Sequence, residues 1–94
     1  MFKTLEELIT IIRQRKESSV EKSYTKKLLK NKKLSIEKVK EEIAELIDAI
    51  EKNSNKVYES ADVLYHLMVL LEANDIKIED VMNELKKRQN DKLA

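Results

Sequence analysis

The chain has no cysteine, glycine, proline or tryptophan, and aromatic residues make up only 4% of its 94 residues. Without cysteine, neither a disulfide framework nor a thiolate metal site is possible. Tight β-hairpins depend strongly on glycine, whereas an all-helical chain can do without both glycine and proline. Asparagine can supply left-handed turn residues instead, and the candidates are Asn31, Asn53, Asn55 and Asn74. These absences favour an all-α protein.

The sequence also lacks a segment typical of membrane insertion or secretion. Its longest apolar run, residues 63–71, is too short to span a bilayer and is interrupted by His66. Glu6 and Glu7 interrupt the apolar residues near the N-terminus, which excludes a signal-peptide pattern. The net charge of +1 gives no reason to expect a nucleic-acid or membrane partner. We expect a single cytoplasmic domain over residues 1–94.

Charge is distributed unevenly along the chain. Residues 22–40 hold a single acid, Glu37, among the lysines Lys22, Lys26, Lys27, Lys30, Lys32, Lys33, Lys38 and Lys40. Residues 41–62 hold two lysines, Lys52 and Lys56, among the acids Glu41, Glu42, Glu45, Asp48, Glu51, Glu59 and Asp62. A basic segment next to an acidic one could bind a polyanion: the lysines would contact it directly, and the carboxylates would contact it through a metal ion. The alternative is a solvated lysine-rich linker.

Apolar spacing predicts helices in the first half of the chain. A capping box of Thr4 and Glu7 opens a helix that runs to about Glu17 and ends at Ser18-Ser19. Residues 23–29 have few apolar side chains and predict a mobile loop that leads into a short helix. Ser35 is the expected N-cap of the next helix, whose apolar stripe is Ile36, Val39, Ile43, Leu46, Ile47 and Ile50.

The second half predicts two more helices. Residues 56–73 are apolar almost all round the helix, which predicts a buried helix that Asn74-Asp75 ends. A last helix is expected from about Ile78 to Arg88, with its apolar residues Val81, Met82 and Leu85 facing inward.

Two pairs of acids are the candidate site. Glu42 and Glu45, and likewise Glu59 and Asp62, are spaced i,i+3, which places each pair on one helix face. Only residues 46–58 separate the pairs, and a turn at Asn53-Ser54-Asn55 between antiparallel helices would bring four carboxylates together. Four such groups repel unless a cation lies between them, and carboxylate oxygens suit Mg2+ or Mn2+. Solvated surface charge is the alternative.

Burial favours the metal interpretation. Glu59, Asp62 and His66 share the one polar strip of the apolar fourth helix, roughly 60° wide, and acids on a buried helix need a partner or a metal. Glu42 lies at the edge of the third helix's apolar stripe and is the acid best placed to be partly desolvated. His66 lies one turn after Asp62. It either orients a metal ligand through a hydrogen bond or is a hydrogen-bonded structural residue.

Several segments resemble a known enzyme family. SYTKKLL at 23–29, KVKEEIAELIDAI at 38–50, ESADVLYHLMVLL at 59–71 and IKIEDVMNELKKR at 76–88 are similar to phosphoribosyl-ATP pyrophosphohydrolase. That family is the all-α enzyme of the second step of histidine biosynthesis and a relative of the MazG-type nucleotide pyrophosphohydrolases. The similarity covers nearly the whole chain, including LEELITIIRQRK at 5–16. The Glu-x-x-Glu and Glu-x-x-Asp skeleton is common to the superfamily, whereas SYT and DVLYH favour this member.

The resemblance implies that four residues ligate Mg2+, with Mn2+ as the alternative: Glu42, Glu45, Glu59 and Asp62. It implies that Tyr24 and Lys27 lie near the substrate phosphates. It also implies a homodimer, or a higher homo-oligomer, whose helices pack as an antiparallel bundle. The expected reaction is Mg2+-dependent hydrolysis of phosphoribosyl-ATP to phosphoribosyl-AMP and pyrophosphate, by a stand-alone enzyme without a cyclohydrolase domain.

Some roles stay open within this resemblance. Lys38 and Lys40 are further candidates for substrate binding, and Lys40 stands where the family usually has glycine, so it either contacts phosphate or points to solvent. Glu41 or a ligand such as Glu42 would accept the proton of the attacking water.

Two other functions remain as alternatives. One is a house-cleaning nucleoside triphosphate pyrophosphohydrolase with the same metal site, and the other is a helical dimerisation module without chemistry. A di-iron bundle is excluded because it requires Glu-x-x-His pairs, and Val63 stands three residues before the only histidine, His66.

Overall fold

The protein is all-helical in the part of the chain that the structure describes. The computed structural model describes residues 1–18 and 23–91, and their side chains up to residue 89. Within these ranges five helices follow one another: α1 Lys3–Glu17, α2 Tyr24–Lys30, α3 Lys32–Lys52, α4 Lys56–Ala73 and α5 Ile78–Asp91. These ranges contain no β-strand, which confirms the all-α class. No helix in them is both long and apolar enough to cross a membrane.

The first helix has the predicted end but not the predicted beginning. α1 starts at Lys3 after Phe2, whose side chain makes no capping hydrogen bond. Thr4 already lies inside the first turn, so the capping box was wrong. The helix ends at Glu17 with Ser18 as its C-cap, as predicted. Ser19, also predicted to end the helix, and Lys22 of the lysine-rich segment lie outside the described residues.

The short helix predicted to follow a loop within residues 23–29 is present as α2, but the loop is not, because the segment is helical from Tyr24 onward. The Ser23 hydroxyl accepts a hydrogen bond from the Lys26 backbone N–H, which caps α2. Leu28 is 0% exposed, and Leu29 is buried beside it. Both belong to a core that α2 shares with α1 and α4, whose other buried members are Ile12, Met68, Val69 and Ala73. Burial of these two leucines stabilises the docking of this short helix on the core.

α3 begins earlier than the sequence indicated. The Asn31 side chain accepts a hydrogen bond from the Leu34 backbone N–H at 3.0 Å, so Asn31 caps the helix in place of Ser35. Asparagine is at least as good an N-cap as serine, and the residues between the two favour helix. Ser35 is instead buried inside α3, and its hydroxyl has no hydrogen-bond partner among the described residues.

The turn between α3 and α4 is built as predicted. Asn53 and Asn55 both take the left-handed conformation, with φ of 54° and 56°. Asparagine tolerates this conformation better than other non-glycine residues, which explains how a chain without glycine makes so short a connection. α3 and α4 then make the most extensive helix–helix contact in the described chain. At the other end of α4 the left-handed residue is Asp75, with φ of 58°, rather than Asn74.

Much of the predicted apolar interior is exposed in a single chain. Val57 is 85% exposed, so the prediction that α4 is buried all round was wrong. The inward orientation predicted for α5 was also wrong for Met82 and Leu85, which are exposed. The core lies on one side of α4, against α1 and α2, and leaves apolar side chains of α3 and α4 uncovered. We call these the outer apolar residues: Ile36, Ile43, Ile47, Ile50, Val57, Tyr58 and Leu64.

Candidate metal centre

Glu42 is the most buried member of the site because of its position on α3. The side of α3 that is buried carries Ser35, Val39, Glu42 and Ala49, a spacing that forms one helix face. This face, rather than the face of the isoleucines, is covered in the single chain. Glu42 is consequently only 8% exposed, which confirms that it is the most desolvated acid of its helix.

The helices bring the predicted carboxylates into two overlapping groups. Carboxylate oxygens of Glu42, Glu59 and Asp62 lie within 4.8 Å of one another, and so do those of Glu41, Glu42 and Glu45. Glu42 belongs to both groups. The i,i+3 spacing within each helix and the turn between the helices therefore bring the predicted acids together as two groups of three that share Glu42, one of which also includes Glu41. We call Glu42, Glu45, Glu59 and Asp62 the acidic cluster.

Two oxygens of the acidic cluster are buried without a hydrogen-bond partner. They are Oε2 of Glu42 and Oε2 of Glu59, and no group in the described ranges satisfies either of them. None of the four acidic-cluster residues forms an ion pair with a lysine or arginine of the described chain. A buried, unpaired carboxylate oxygen is costly, and a cation bound between the carboxylates would remove this cost.

The pKa values of the cluster also show that its carboxylates lie close to one another. Burial raises the pKa of Glu42, and the neighbouring carboxylates of Glu45 and Asp62 raise it further, while the His66 ring opposes them. Burial also raises the pKa of Glu59, and the charges of Glu45 and Asp62 raise it further. The charge of Glu45 therefore raises the pKa of one acid on α3 and of one acid on α4. These side chains repel one another when ionised.

The donor set fits a hard divalent cation. Mg2+ binds oxygens at about 2.1 Å, so two of its ligands stand at most about 4.2 Å apart, close to the spacing of each carboxylate group. The site also opens to solvent through a cavity of about 240 Å³ beside the α3–α4 turn, lined by Glu45 and Glu59 and by Asp48, Ala49, Lys52, Ser54 and Asn55. A ligand larger than an ion can therefore reach the carboxylates.

The other predicted site residues lie at different distances from the cluster. Lys38 forms an ion pair with Glu41, with 3.3 Å between its Nζ and the glutamate oxygen. Among the predicted catalytic and metal-binding acids, Glu41 alone has such a partner in the described chain. Lys27 and Lys40 are exposed, and the structure gives them no ion pair with the acidic cluster. Their predicted contact with phosphate stays a prediction.

His66 and Tyr24 form a link that the sequence did not reveal. His66 is buried, its Nδ1 lies 2.8 Å from the Asp62 backbone oxygen, and its Nε2 lies 3.0 Å from the Tyr24 hydroxyl. His66 therefore contacts the backbone of Asp62 rather than its carboxylate. Of the two interpretations, the hydrogen-bonded structural residue describes these contacts. No local pattern could have shown that Tyr24 of α2 is the other partner.

The ion pairs between α1 and the α4–α5 junction were also missed. Arg13 donates two hydrogen bonds to Glu79, at 2.9 and 2.7 Å, and contacts Glu72. Lys16 donates to the Asp75 carboxylate at 2.7 Å and to the Glu72 backbone oxygen. Their only sequence signal is that Arg13 and Lys16 are one turn apart on α1.

The fold and the site together define a class: an all-helical protein with a partly buried cluster of carboxylates whose oxygens could hold a divalent cation. The model of the family described as phosphoribosyl-ATP pyrophosphohydrolase matches residues 5–89. The chain therefore belongs to the phosphoribosyl-ATP pyrophosphohydrolase family.

Curated relatives agree with this assignment. The chain is 42% identical to a phosphoribosyl-ATP pyrophosphatase of Methanococcoides burtonii, with 92% of each chain covered. It is 44% identical to the enzyme of that name from Clostridium novyi, with 90% of this chain and 80% of the relative covered. It is also 51% identical to the histidine biosynthesis bifunctional protein HisIE of Pyrococcus furiosus over 90% of its own length, but spans only 41% of that relative.

Proposed function

We propose that the chain is a Mg2+-dependent enzyme that hydrolyses phosphoribosyl-ATP to phosphoribosyl-AMP and pyrophosphate in histidine biosynthesis. Membership of the family and the names of the relatives support the reaction. The observation that carries the metal dependence is the pair of buried, unpartnered oxygens on Glu42 and Glu59. Mn2+ is the expected substitute, because it prefers the same oxygen donors.

The acidic cluster would hold the metal ion, with Glu42 common to the group that contains Glu59 and Asp62 and to the group that contains Glu41 and Glu45. When bound, such an ion polarises phosphate oxygens and offsets the charge that develops on the pyrophosphate leaving group. Glu41 shares a group with Glu42 and Glu45, but it is exposed and, unlike the acidic cluster, it pairs with a lysine of the described chain. We therefore assign it, rather than a metal ligand, the acceptance of the proton from the attacking water. Lys38 would keep the Glu41 carboxylate oriented through their ion pair.

The direct test replaces Glu42 by glutamine. Glu42→Gln removes one charge from the acidic cluster and keeps the shape of the side chain. We expect turnover to fall by about two to three orders of magnitude, the size of effect seen when one stabilising group of a transition state is lost. The metal-free variant should be as stable as wild type, or more stable, because repulsion is relieved. Glu37→Gln, an exposed change on the same helix, is the control, and near-wild-type turnover in Glu42→Gln would contradict the ligand assignment.

A substrate panel separates this reaction from that of a general nucleotide pyrophosphohydrolase. Pyrophosphate release is measured with phosphoribosyl-ATP and with the ordinary and damaged nucleoside triphosphates, with and without Mg2+. We expect turnover of phosphoribosyl-ATP to dominate. A preference for any free triphosphate would overturn the substrate assignment and leave the metal site standing.

We also propose that the helices form an antiparallel bundle completed by a second copy of the chain. The outer apolar residues are exposed on α3 and α4, the two helices that carry the acidic cluster, and a chain of this size gains stability from association. Ile47→Glu should dissociate the dimer in sedimentation measurements, whereas Ile11→Glu, at a similarly exposed isoleucine of α1, should not. A monomeric wild type would contradict the proposal.

A further inference from the structure

Two adjacent hydrogen bonds fasten the first turn of α2 to the middle of α4. Tyr24 bonds to His66, and the next residue, Thr25, bonds through its hydroxyl to the hydroxyl of Tyr65. The Tyr65 ring stands edge-on to the His66 ring, with centroids 4.9 Å apart, and lies stacked near the Tyr24 ring at 6.4 Å. The His66 ring is therefore held by contacts on several sides.

The contacts of His66 determine where its proton lies. The Asp62 backbone oxygen can only accept a hydrogen bond, so the Nδ1 atom 2.8 Å away must carry a hydrogen. In the neutral ring Nε2 then has only a lone pair. Nε2 accepts, and the Tyr24 hydroxyl, 3.0 Å away, donates its one hydrogen to it.

This direction of donation decides what else Tyr24 can bind. With its hydrogen used by His66, the phenolic oxygen has only acceptor capacity left. Tyr24 is 46% exposed and lies beside the site, because it bonds to His66, which in turn bonds to the backbone of Asp62. A phosphate oxygen without a proton is also an acceptor and cannot bond to it. A hydroxyl or amino group can.

We propose that His66 is a positioning residue that holds Tyr24 as a hydrogen-bond acceptor for a hydroxyl group of the nucleotide substrate, not for its phosphates. The substrate class rests on the proposed function, whereas the hydrogen-bond direction does not. The resemblance implies that Tyr24 lies near the substrate phosphates, whereas here Tyr24 binds a hydroxyl group. His66 acts on the substrate only through Tyr24.

The hydrogen-bond direction can be measured without turnover. Because the chain has one histidine, histidine labelled with 15N gives the ring signals of His66 alone. We expect a protonated Nδ1 and an unprotonated Nε2 in the wild type. Tyr24→Phe should shift the Nε2 signal and leave Nδ1 protonated, while Tyr58→Phe, at an exposed tyrosine of α4, should change neither signal. A proton found on Nε2 of the wild type would overturn the proposal.

Kinetics test the contact with substrate. Tyr24→Phe should raise KM for phosphoribosyl-ATP about three- to tenfold, the worth of one hydrogen bond, with kcat within about twofold. Inhibition by pyrophosphate, which has no ribose hydroxyl, should be unchanged. Equal weakening of pyrophosphate inhibition would mean that Tyr24 contacts phosphate, and the proposal would fail.

Substitutions at His66 separate positioning from mere structural support. His66→Asn keeps an N–H where Nδ1 stood and nothing where Nε2 stood, so it should raise KM as Tyr24→Phe does, and the double variant should be no worse. His66→Gln reaches towards Tyr24 and should partly restore KM. Additive effects, or a loss of thermal stability with KM unmoved, would overturn the positioning role. If His66→Asn does not fold, Tyr24→Phe and the nitrogen spectrum decide, because they leave the ring in place.

Failure of this inference is distinguishable from failure of the proposed function. Full turnover in Glu42→Gln would remove the metal site and leave the state of the His66 ring unaffected. Conversely, an inactive Glu42→Gln variant together with unchanged kinetics in Tyr24→Phe would remove only the role given to Tyr24.

Discussion

Carboxylates near the two ends of α4 behave in opposite ways. At its C-terminal end, Glu72 and the following Asp75 and Glu79 contact Arg13 and Lys16 of α1, with the shortest contacts at 2.7 Å. We call these five residues the paired cluster. Towards the N-terminal end, the acidic cluster has carboxylates near carboxylates and no ion pair to a lysine or arginine of the described chain.

The pKa values separate the two clusters. Hydrogen bonding to Arg13 lowers the pKa of Glu79 to about 2, and Lys16 lowers the pKa of Asp75 in the same way. Burial and neighbouring carboxylates raise the pKa of Glu42 and of Glu59. The paired cluster is thus satisfied by the chain's own residues, whereas the acidic cluster leaves charge for a ligand to neutralise.

The largest difference between the two clusters is expected in how their variants respond to the removal and return of Mg2+. Chelation should abolish turnover, and Mg2+ returned at a hundred times its Kd should stabilise the fold by about 2.7 kcal/mol. Glu42→Gln should lose most of this response, because it weakens the site without unfolding the chain. Glu79→Gln, in the paired cluster, should keep it. The measurement is thermal unfolding with and without Mg2+, and an equal response in both variants would erase the distinction between the clusters.

The clusters should also give opposite pH dependences in the metal-free protein. The pKa of Glu42 is raised in the folded state above its ordinary 4.5, so the folded state holds its proton longer and stability falls as the pH rises above about 4.5. The pKa of Glu79 is lowered to about 2, so its stabilisation is present above about 4.5 and is lost as the pH falls towards 2.

Denaturant unfolding across this pH range checks both signs. Glu42→Gln should flatten the fall in stability above pH 4.5, and Glu79→Gln should flatten the fall below it. A single variant that flattened both limbs would show that the two clusters are not independent.

A smaller effect is expected when the paired cluster is broken. Arg13→Met keeps the apolar stem of the side chain and removes its bonds to Glu79 and Glu72. Because these contacts are partly exposed, the free energy of unfolding should fall by no more than about 1 kcal/mol. Turnover per folded molecule should be unchanged, since none of these residues belongs to the acidic cluster. A matching loss of kcat would connect α5 to the active site and contradict this separation.

The smallest effect belongs to a pair that stands beside the acidic cluster without being part of it. Lys52 and Asp48 form an exposed i,i+4 ion pair on α3, with 3.1 Å between Nζ and the carboxylate. Lys52→Gln should change the free energy of unfolding by about 0.3–0.5 kcal/mol. It should leave Mg2+ stabilisation intact. Loss of the Mg2+ response would show that the cavity beside the turn takes part in metal binding.

The features that sequence could predict are those decided within one helix or one turn. The i,i+3 spacing of the acids fixes each pair on one face, and Asn53 and Asn55 supply the left-handed turn that joins the two helices. The end of α1 and both bounds of α4 are of this kind and agree with the prediction. Glu42 is desolvated as predicted, but on the buried face of α3 that carries Ser35 and Ala49 rather than beside the exposed isoleucines.

The errors concern which helix face meets which neighbour. Nothing local shows that α2 is held by Leu28 and Leu29, that Val57 and Leu64 are left uncovered, or that Arg13 pairs with Glu79 across 66 positions. The bond from Tyr24 to His66 belongs to the same group, because it depends on how α2 packs against α4. Periodicity predicts an apolar face, but not whether this chain covers it.

The shortness of the α3–α4 connection has a consequence for how the protein folds. The entropy lost in closing a loop grows with its length, and only residues 46–58 separate the two acid pairs. Contacts between near neighbours in sequence form faster than distant ones. The carboxylates of the acidic cluster should therefore meet early, before α1 and α5 dock. If they bind Mg2+ as proposed, a cation present during synthesis should speed the folding of the nascent chain.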